Sequence, residues 1–474
     1  MRWHKLLLVA STIAGCAVGP DYERPSAPAP AAYKEAGDWK PATPQDDLHR
    51  GAWWSVFNDP QLDTLEQQVN VSNQNLAQAE AQYRQALALV REARAGYFPT
   101  VSADASATRS KSGSGSQSST GSSTSSGARN QYSLSLSASW ELDLWGRVRR
   151  TVEANSASAQ ASAADLESTR LSLQSQLAQD YFALRIIDEQ KRLLDKTVAG
   201  YETSLQVTKN RYNVGVAAKA DVMQAETQLK TTQAQDIDLE AQRALLEHAI
   251  AVLVGTAPAE FSLAPDVVTM TLPAIPAALP SALLERRPDI AAAERRAAAA
   301  NAQIGVAKAA YFPDLSLSAS GGFQSTNFIH LLTLPNRFWS VGADLAETLF
   351  DAGARQAKTA QAVAAYDQSV GNYRQTVLAG FQEVEDNLAE LRVLEREAQV
   401  QDEAVKAAEE SLAITINQYK AGTVSYLNVV ISQAAALGAE RSALDLLHSR
   451  LTASVVLIKA LGGGWSAGEP DAHH

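Results

Sequence analysis

A single cysteine, Cys16, stands in a chain of 474 residues, so no disulfide can close within it and no Cys/His zinc cluster can be assembled. The seven histidines are scattered, and no phosphate-binding loop, nucleophile–base pair or convergent acidic cluster stands out. An enzyme, a metal and a cofactor are therefore not expected. Basic residues are outnumbered, 41 Lys and Arg against 52 Asp and Glu for a net charge of −11, and losing Arg2 and Lys5 with the first fifteen residues takes it to −13. That balance argues against a nucleic-acid partner. Apolar runs are short, and none reaches the roughly 20 residues of a membrane-spanning helix. Even so, 46% of the residues are apolar and 20% charged, which is a composition that buries a sizeable core.

Proline is missing from two long windows, between Pro99 and Pro258 and between Pro335 and Pro470. Within them, residues 147–211 and 355–419 are rich in Ala, Leu, Gln, Glu and Lys, broken only by Gly200, Gly371 and Gly380. Each predicts a helical path of roughly 100 Å at 1.5 Å per residue. After Gly215 and Gly422 the chain turns and runs back through residues 221–254 and 428–461, while 62–95 and 283–310 predict two more helices. Spaced Leu and Val among many Ala suit close helix packing, which a plain coiled-coil spacer would also show.

The chain is written twice. Ala95-Gly96-Tyr97-Phe98-Pro99 returns as Ala309-Ala310-Tyr311-Phe312-Pro313, a shift of 214, and Arg211-Tyr212-Asn213-Val214-Gly215 returns as Gln418-Tyr419-Lys420-Ala421-Gly422, a shift of 207. The difference falls between Pro99 and Gly146, where the first copy carries the Ser/Gly-rich stretch 110–127. A duplicated helix, strand, strand, helix unit predicts a pseudo-symmetric body.

The strands alternate strictly. Tyr132, Leu134, Leu136, Ala138, Trp140, Leu142 and Leu144 are separated by Ser133, Ser135, Ser137, Ser139, Glu141 and Asp143, and Trp339, Val341, Ala343 and Leu345 are separated by Ser340, Gly342 and Asp344. Two shorter segments, Val101 to Thr108 and Leu315 to Ala319, follow the Tyr-Phe-Pro repeats. A soluble sheet shows this pattern too, but serine and acid on one face suit strands with lipid outside and water inside. Four strands cannot close a barrel, and an open edge in hydrocarbon leaves unpaired backbone groups costing several kcal/mol each. Several chains must join, and since about 8 strands leave an interior filled by side chains, transport favours three or more copies. The Ser/Gly-rich stretch then becomes a flexible outer loop.

At the amino terminus, Arg2, His4 and Lys5 precede the apolar run Leu6 to Ala10 and the small residues before Cys16. This is the order of a secretory leader, expected over 1–15. Ile13-Ala14-Gly15-Cys16 resembles the bacterial lipobox, which implies lipidation at Cys16, and Ala17 in the next position implies sorting to the outer membrane.

Together with these repeats, Cys16-Ala17-Val18-Gly19-Pro20-Asp21-Tyr22, Trp53-Trp54-Ser55-Val56-Phe57-Asn58-Asp59-Pro60 and Arg286-Arg287-Pro288-Asp289-Ile290-Ala291-Ala292-Ala293-Glu294 resemble the TolC-type outer-membrane efflux proteins. Within that family the resemblance is to the NodT and OprM-like lipoproteins, and it runs over essentially the whole chain. It implies a mixed α and β membrane protein: a homotrimer whose twelve-stranded β-barrel, four strands per chain, continues into an α-helical periplasmic barrel. The implied organisation is a leader at 1–15, a lipidated segment and equatorial belt at 16–61, a helix at 62–96, a β-hairpin at 97–146 and a helical hairpin at 147–255. A linker at 256–280 then leads to the second copy, with a helix at 281–310, a β-hairpin at 311–353, a helical hairpin at 354–462 and a tail at 463–474. Trp53, Trp54 and Phe57 read as packing of the belt, and Arg287-Pro288-Asp289 as a helix start.

The implied activity is that of a passive efflux duct in the cell outer membrane, in contact with its lipid, extending into the periplasm and working with a periplasmic adaptor protein and an inner-membrane transporter of resistance-nodulation-division type. A duct for protein secretion and a pore-free periplasmic coiled-coil scaffold are the alternatives. The resemblance places a gate at the hairpin tips, where a phenol on the inner hairpin and a carboxylate on the outer one form part of a latch. Tyr419 and Asp221 match them, although Asp221 also suits a helix cap. Val424 stands where some members have arginine and Asn428 where many have aspartate, so both departures remove charge. Val214, Gly215, Val216, Ala217 and Ala218, with Gly422, Thr423 and Ser425 in the second copy, match the tip that receives the adaptor.

Overall fold

The computed structural model describes residues 17–27, 30, 32–36, 52–111, 128–266, 272–273 and 286–463. The expected leader, Cys16, most of the Ser/Gly-rich loop, much of the linker at 256–280, residues 281–285 and the tail from 464 lie outside the described residues. The chain forms two compact units, one of Met1–Pro25, Tyr83–Ala161 and Ala293–Asn372, the other of Ser26–Gln82, Ser162–Ala292 and Tyr373–His474.

The first unit is built around a four-stranded antiparallel sheet of β1 (Thr100–Ser110), β2 (Arg129–Leu142), β3 (Asp314–Ser325) and β4 (Arg337–Ala346), in sequence order. The register carries the alternation across all four strands. Ala105 pairs with Leu134 and Leu134 with Phe323, while Val101, Ala138, Ala319 and Val341 form a continuous row. The opposite face is a serine ladder, in which Ser106 and Ser133 hydroxyls meet at 2.8 Å, as do Ser320 and Ser340. Strand β3 runs six residues past the expected end at Ala319, through Gly321 and Gly322. Glycine disfavours strands by propensity, but at Gly322 a Cβ would stand 2.1 Å from the Leu134 carbonyl oxygen, so only glycine fits this close approach. Strand β2 ends at Leu142, two residues before the expected Leu144, where the chain turns.

Seven helices of eight or more residues are described: α1 (Pro60–Ser72), α2 (Gln74–Ala95), α3 (Arg147–Asn213), α4 (Lys219–Leu253), α5 (Pro288–Ala309), α6 (Ala354–Lys420) and α7 (Tyr426–Ala460). Helices α3 and α6 each run 67 residues without interruption, and α4 and α7 each 35. The expected single helix over 62–95 is instead two, because Asn73 adopts an extended conformation and caps α2, its Oδ1 accepting from the Asn75 and Leu76 amides at 2.9 and 3.0 Å. Helix α5 is described over Pro288–Ala309, with the proline in its first turn, while residues 281–285 of the helix expected at 281–310 lie outside the described residues.

The core of the second unit surrounds the Trp53–Phe57 turn. Trp53, Trp54 and Phe57 are buried against Leu62, Leu65, Leu177, Phe182, Ile250 and Leu451, with the Phe57 and Phe182 rings 4.8 Å apart. Trp53 Nε1 donates to Gln174 Oε1 at 3.2 Å and the Tyr181 hydroxyl to Asp59 Oδ2 at 2.7 Å. Trp53, Trp54 and Phe57 therefore pack in a core as the sequence predicts, with the Trp53 indole nitrogen satisfied.

Candidate functional site

Within the second unit, the turns α3–α4 and α6–α7 meet in one small core. Tyr201 and Leu205 of α3, Val222, Ala225 and Leu229 of α4, Tyr419 of α6, and Tyr426 and Val429 of α7 are buried together, with Val424 packed against them. The Tyr419 and Tyr426 rings meet edge to face, centroids 5.4 Å apart, a favoured aromatic geometry. The Tyr426 and Ser204 hydroxyls lie 3.2 Å apart, and Gln228 Nε2 donates to the Tyr201 hydroxyl at 3.4 Å. Burial pushes the Tyr426 phenol above its ordinary range; the Ser204 contact opposes this and the neighbouring phenols and Asp221 carboxylate reinforce it. Burial likewise raises Tyr201, so both phenols are neutral at physiological pH.

The residues expected to gate are thus in one place but differently engaged. Tyr419 is 7% exposed, and its hydroxyl has no hydrogen-bond partner among the described residues. Asp221 accepts from the Ala218 amide at 3.2 Å, the helix-capping role, and no hydrogen bond joins it to Tyr419 among the described residues. Val424 fills the tip core, whereas Asn428 is exposed. The structure adds a residue that sequence reasoning passed over: Arg211, whose Cζ lies 4.6 Å from the Tyr419 ring centroid and whose Nη1 donates to the Tyr419 carbonyl at 3.0 Å. Its sign in the sequence is that Arg211 is matched by Gln418 in an otherwise similar repeat.

Around this core the tip surface is apolar and open. Val214, Val216, Leu427 and Ile431 are exposed. Nothing lies within 4 Å of where a Cβ would stand on Gly215 or Gly422. Gly215, Ala218, Thr423 and Ser425 are exposed and Ala217 is partly so, with the Thr423 hydroxyl donating to the Gln418 carbonyl at 3.0 Å.

In the first unit, the segment after Cys16 is strapped to the strand–helix junction. The Val18 amide donates to the Trp145 carbonyl at 3.0 Å, Arg150 pairs with Asp21 at 2.8 Å, and the Tyr22 hydroxyl donates to Glu294 Oε1 at 2.6 Å. Trp145 stacks on Phe312 with centroids 4.7 Å apart, and Tyr97, Phe98 and Tyr311 are exposed at the ends of the same strands. Aromatic residues at strand ends mark the edges of a lipid-facing band. Among the described residues no helix is long and apolar enough to cross a membrane, and no group of three or more His, Cys, Asp or Glu is placed to hold a metal.

Comparison with known proteins gives one result. The family described as outer membrane efflux protein matches residues 65–256 and 279–463. The antibiotic efflux pump outer membrane protein ArpC of Pseudomonas putida is 33% identical over 463 residues, covering 97% of this chain and 95% of that protein. The cation efflux system protein CusC of Escherichia coli is 30% identical over 462 residues, covering 96% and 97%. Among solved structures, the outer-membrane channel OprN superposes with a TM-score of 0.85 at 32% identity over 95% of this chain and all of that one. The chain therefore belongs to the outer membrane efflux protein family.

Proposed function

We propose that three copies of this chain close a twelve-stranded barrel and form the passive exit duct of a tripartite efflux pump, doing no chemistry of their own. The observation that carries this is the sheet: one face is apolar except at the end that carries Arg109, Asn130, Ser325 and Arg337, the other is rich in serine and acid, and β1 and β4 each leave an edge unpaired within the chain. Such edges are intolerable in lipid and close when chains join around an axis. The outer membrane is where the family works, and the aromatic strand ends suit that setting. Ala17 lies against Gly146, just before α3, and lipidation at Cys16 is part of this reading.

The hairpin tips are the periplasmic end, where the apolar surface around Gly215 and Gly422 receives an adaptor protein linked to an inner-membrane transporter of resistance-nodulation-division type. Small side chains there permit close approach of a second hairpin. Tyr419, Asp221, Val424 and Asn428 belong to the gate, and the neutral Asn428 makes the mouth less attractive to cations than an aspartate would. Relatives of similar identity are named for antibiotic and cation systems, which supports a lumen that leaves choice of cargo to the transporter.

Gly215→Trp and Gly422→Trp test the docking reading in a strain that depends on this duct for drug resistance. We expect resistance to be lost while the detergent-extracted protein still sediments as three chains. Normal resistance would contradict adaptor docking at the tips, and a stable monomer of the parent protein would overturn the duct itself.

A further inference from the structure

We infer that Arg211 is the positioning residue that holds the tip closed, gripping Tyr419 by its ring face and backbone carbonyl rather than through its hydroxyl. The inference rests on the reading that the tips gate the duct. The guanidinium sits over the ring at 4.6 Å and donates to the carbonyl at 3.0 Å. Both partners lie in the last turn of their helices, α3 and α6, so one side chain joins the ends of the two hairpins. The Tyr419 hydroxyl meets no partner among the described residues, and Asp221, the carboxylate that the resemblance assigns to the latch, accepts from the Ala218 amide. No ion pair to Arg211 is formed among the described residues.

A cation over an aromatic face is held by the ring quadrupole, and a positive charge at a helix C-terminus is favoured by the helix dipole. Neither interaction needs the phenolic oxygen. The clamp also exists in one copy only. The repeat equivalents are Gln418, which carries no charge, and Tyr212, which is 43% exposed where Tyr419 is 7% exposed. With Val424 neutral and packed in the tip core, the positive charge that holds the tip comes from the other hairpin.

Single-channel conductance of the purified channel in planar bilayers tests this with five variants. Arg211→Gln and Tyr419→Leu are expected to raise conductance severalfold over the parent, Arg211→Lys to restore most of the closure, and Tyr419→Phe and Asp221→Asn to raise it far less than Tyr419→Leu. If Tyr419→Phe and Asp221→Asn open the channel as far as Tyr419→Leu, a phenol–carboxylate latch operates and the clamp is overturned, while the tip remains the gate. If Arg211→Gln and Arg211→Lys open it equally, the charge over the ring is irrelevant and the clamp again fails. If none of the five changes conductance, the gate is elsewhere and the underlying reading falls with the inference. Sedimentation of each variant as the parent assembly separates these outcomes from misfolding.

Discussion

The two copies of the repeat close at their bases by the same backbone arrangement with opposite side-chain chemistry. In the first, Asn73 Nδ2 donates to the Leu253 carbonyl at 2.7 Å where the chain entering α2 meets the end of α4. In the second, Arg287 Nη1 donates to the equivalent Ala460 carbonyl at 3.2 Å at the end of α7. Each junction has a glycine at positive φ, Gly255 at 73° and Gly462 at 93°. A Cβ on either would stand 2.2 Å from a backbone oxygen, that of Ser72 in one and of Arg286 in the other. Around Asn73 the repeat positions are neutral, Asn75 and Gln176, whereas Arg287 binds Asp289 at 2.6 and 3.0 Å and Glu383 at 2.6 Å. Burial works against the Arg287 charge, but the two carboxylates outweigh it and hold the guanidinium more firmly protonated than usual. Duplication has thus preserved the backbone geometry, which admits no substitute, and let the side-chain donors diverge into an amide junction and an ionic one.

The comparison breaks most decisively at the glycines. Gly255→Ala and Gly462→Ala should each destabilise by about 4 kcal/mol, since a left-handed backbone and a clash with a fixed carbonyl combine. Thermal unfolding followed by circular dichroism should give equal losses, and a loss at only one would show that the junctions are not equivalent.

Removing the donors should give a smaller, unequal effect. Arg287→Ala leaves two carboxylates and a carbonyl without their cation and should cost about 3 kcal/mol, reduced from the fully buried case because Glu383 is half exposed. Asn73→Ala loses a cap and one further hydrogen bond, about 2 kcal/mol in all. The triple change Arg287→Asn, Asp289→Asn, Glu383→Gln, which rebuilds the amide chemistry in the second copy, should be less destabilising than Arg287→Ala in the same assay. The smallest effect sharpens the contrast most. Raising salt from low to molar concentration should increase amide hydrogen exchange at residues 290–294 and leave 75–79 unchanged, because screening weakens ion pairs and not amide hydrogen bonds.

Much of this was legible from composition and spacing. Two proline-free windows predicted the long helices, alternation predicted the strands and their apolar face, and the shifts of 214 and 207 predicted the duplication. Trp53, Trp54 and Phe57 packed as read. The misreadings were local patterns overruled at a distance. The break at Asn73 is reinforced by a carbonyl 180 residues away, and Gly321-Gly322 reads as a strand end until the Leu134 backbone is seen pressing on it. At the tip, the family resemblance marked Tyr419, Asp221, Val424 and Asn428, but not Arg211, whose partner lies 208 residues along the chain.

The sequence by itself determined the elements, their twofold recurrence and a sheet too small to stand alone in lipid, because periodicity and helix-breaking residues act over a few neighbours. Only the tertiary structure decided that Asp221 caps a helix, that Arg211 takes the face of Tyr419, and that one repeat closes on an amide and the other on an ion pair. Those choices depend on which side chains the fold brings within hydrogen-bonding or ring-contact distance, and in a duplicated chain two nearly identical local patterns can be given different partners.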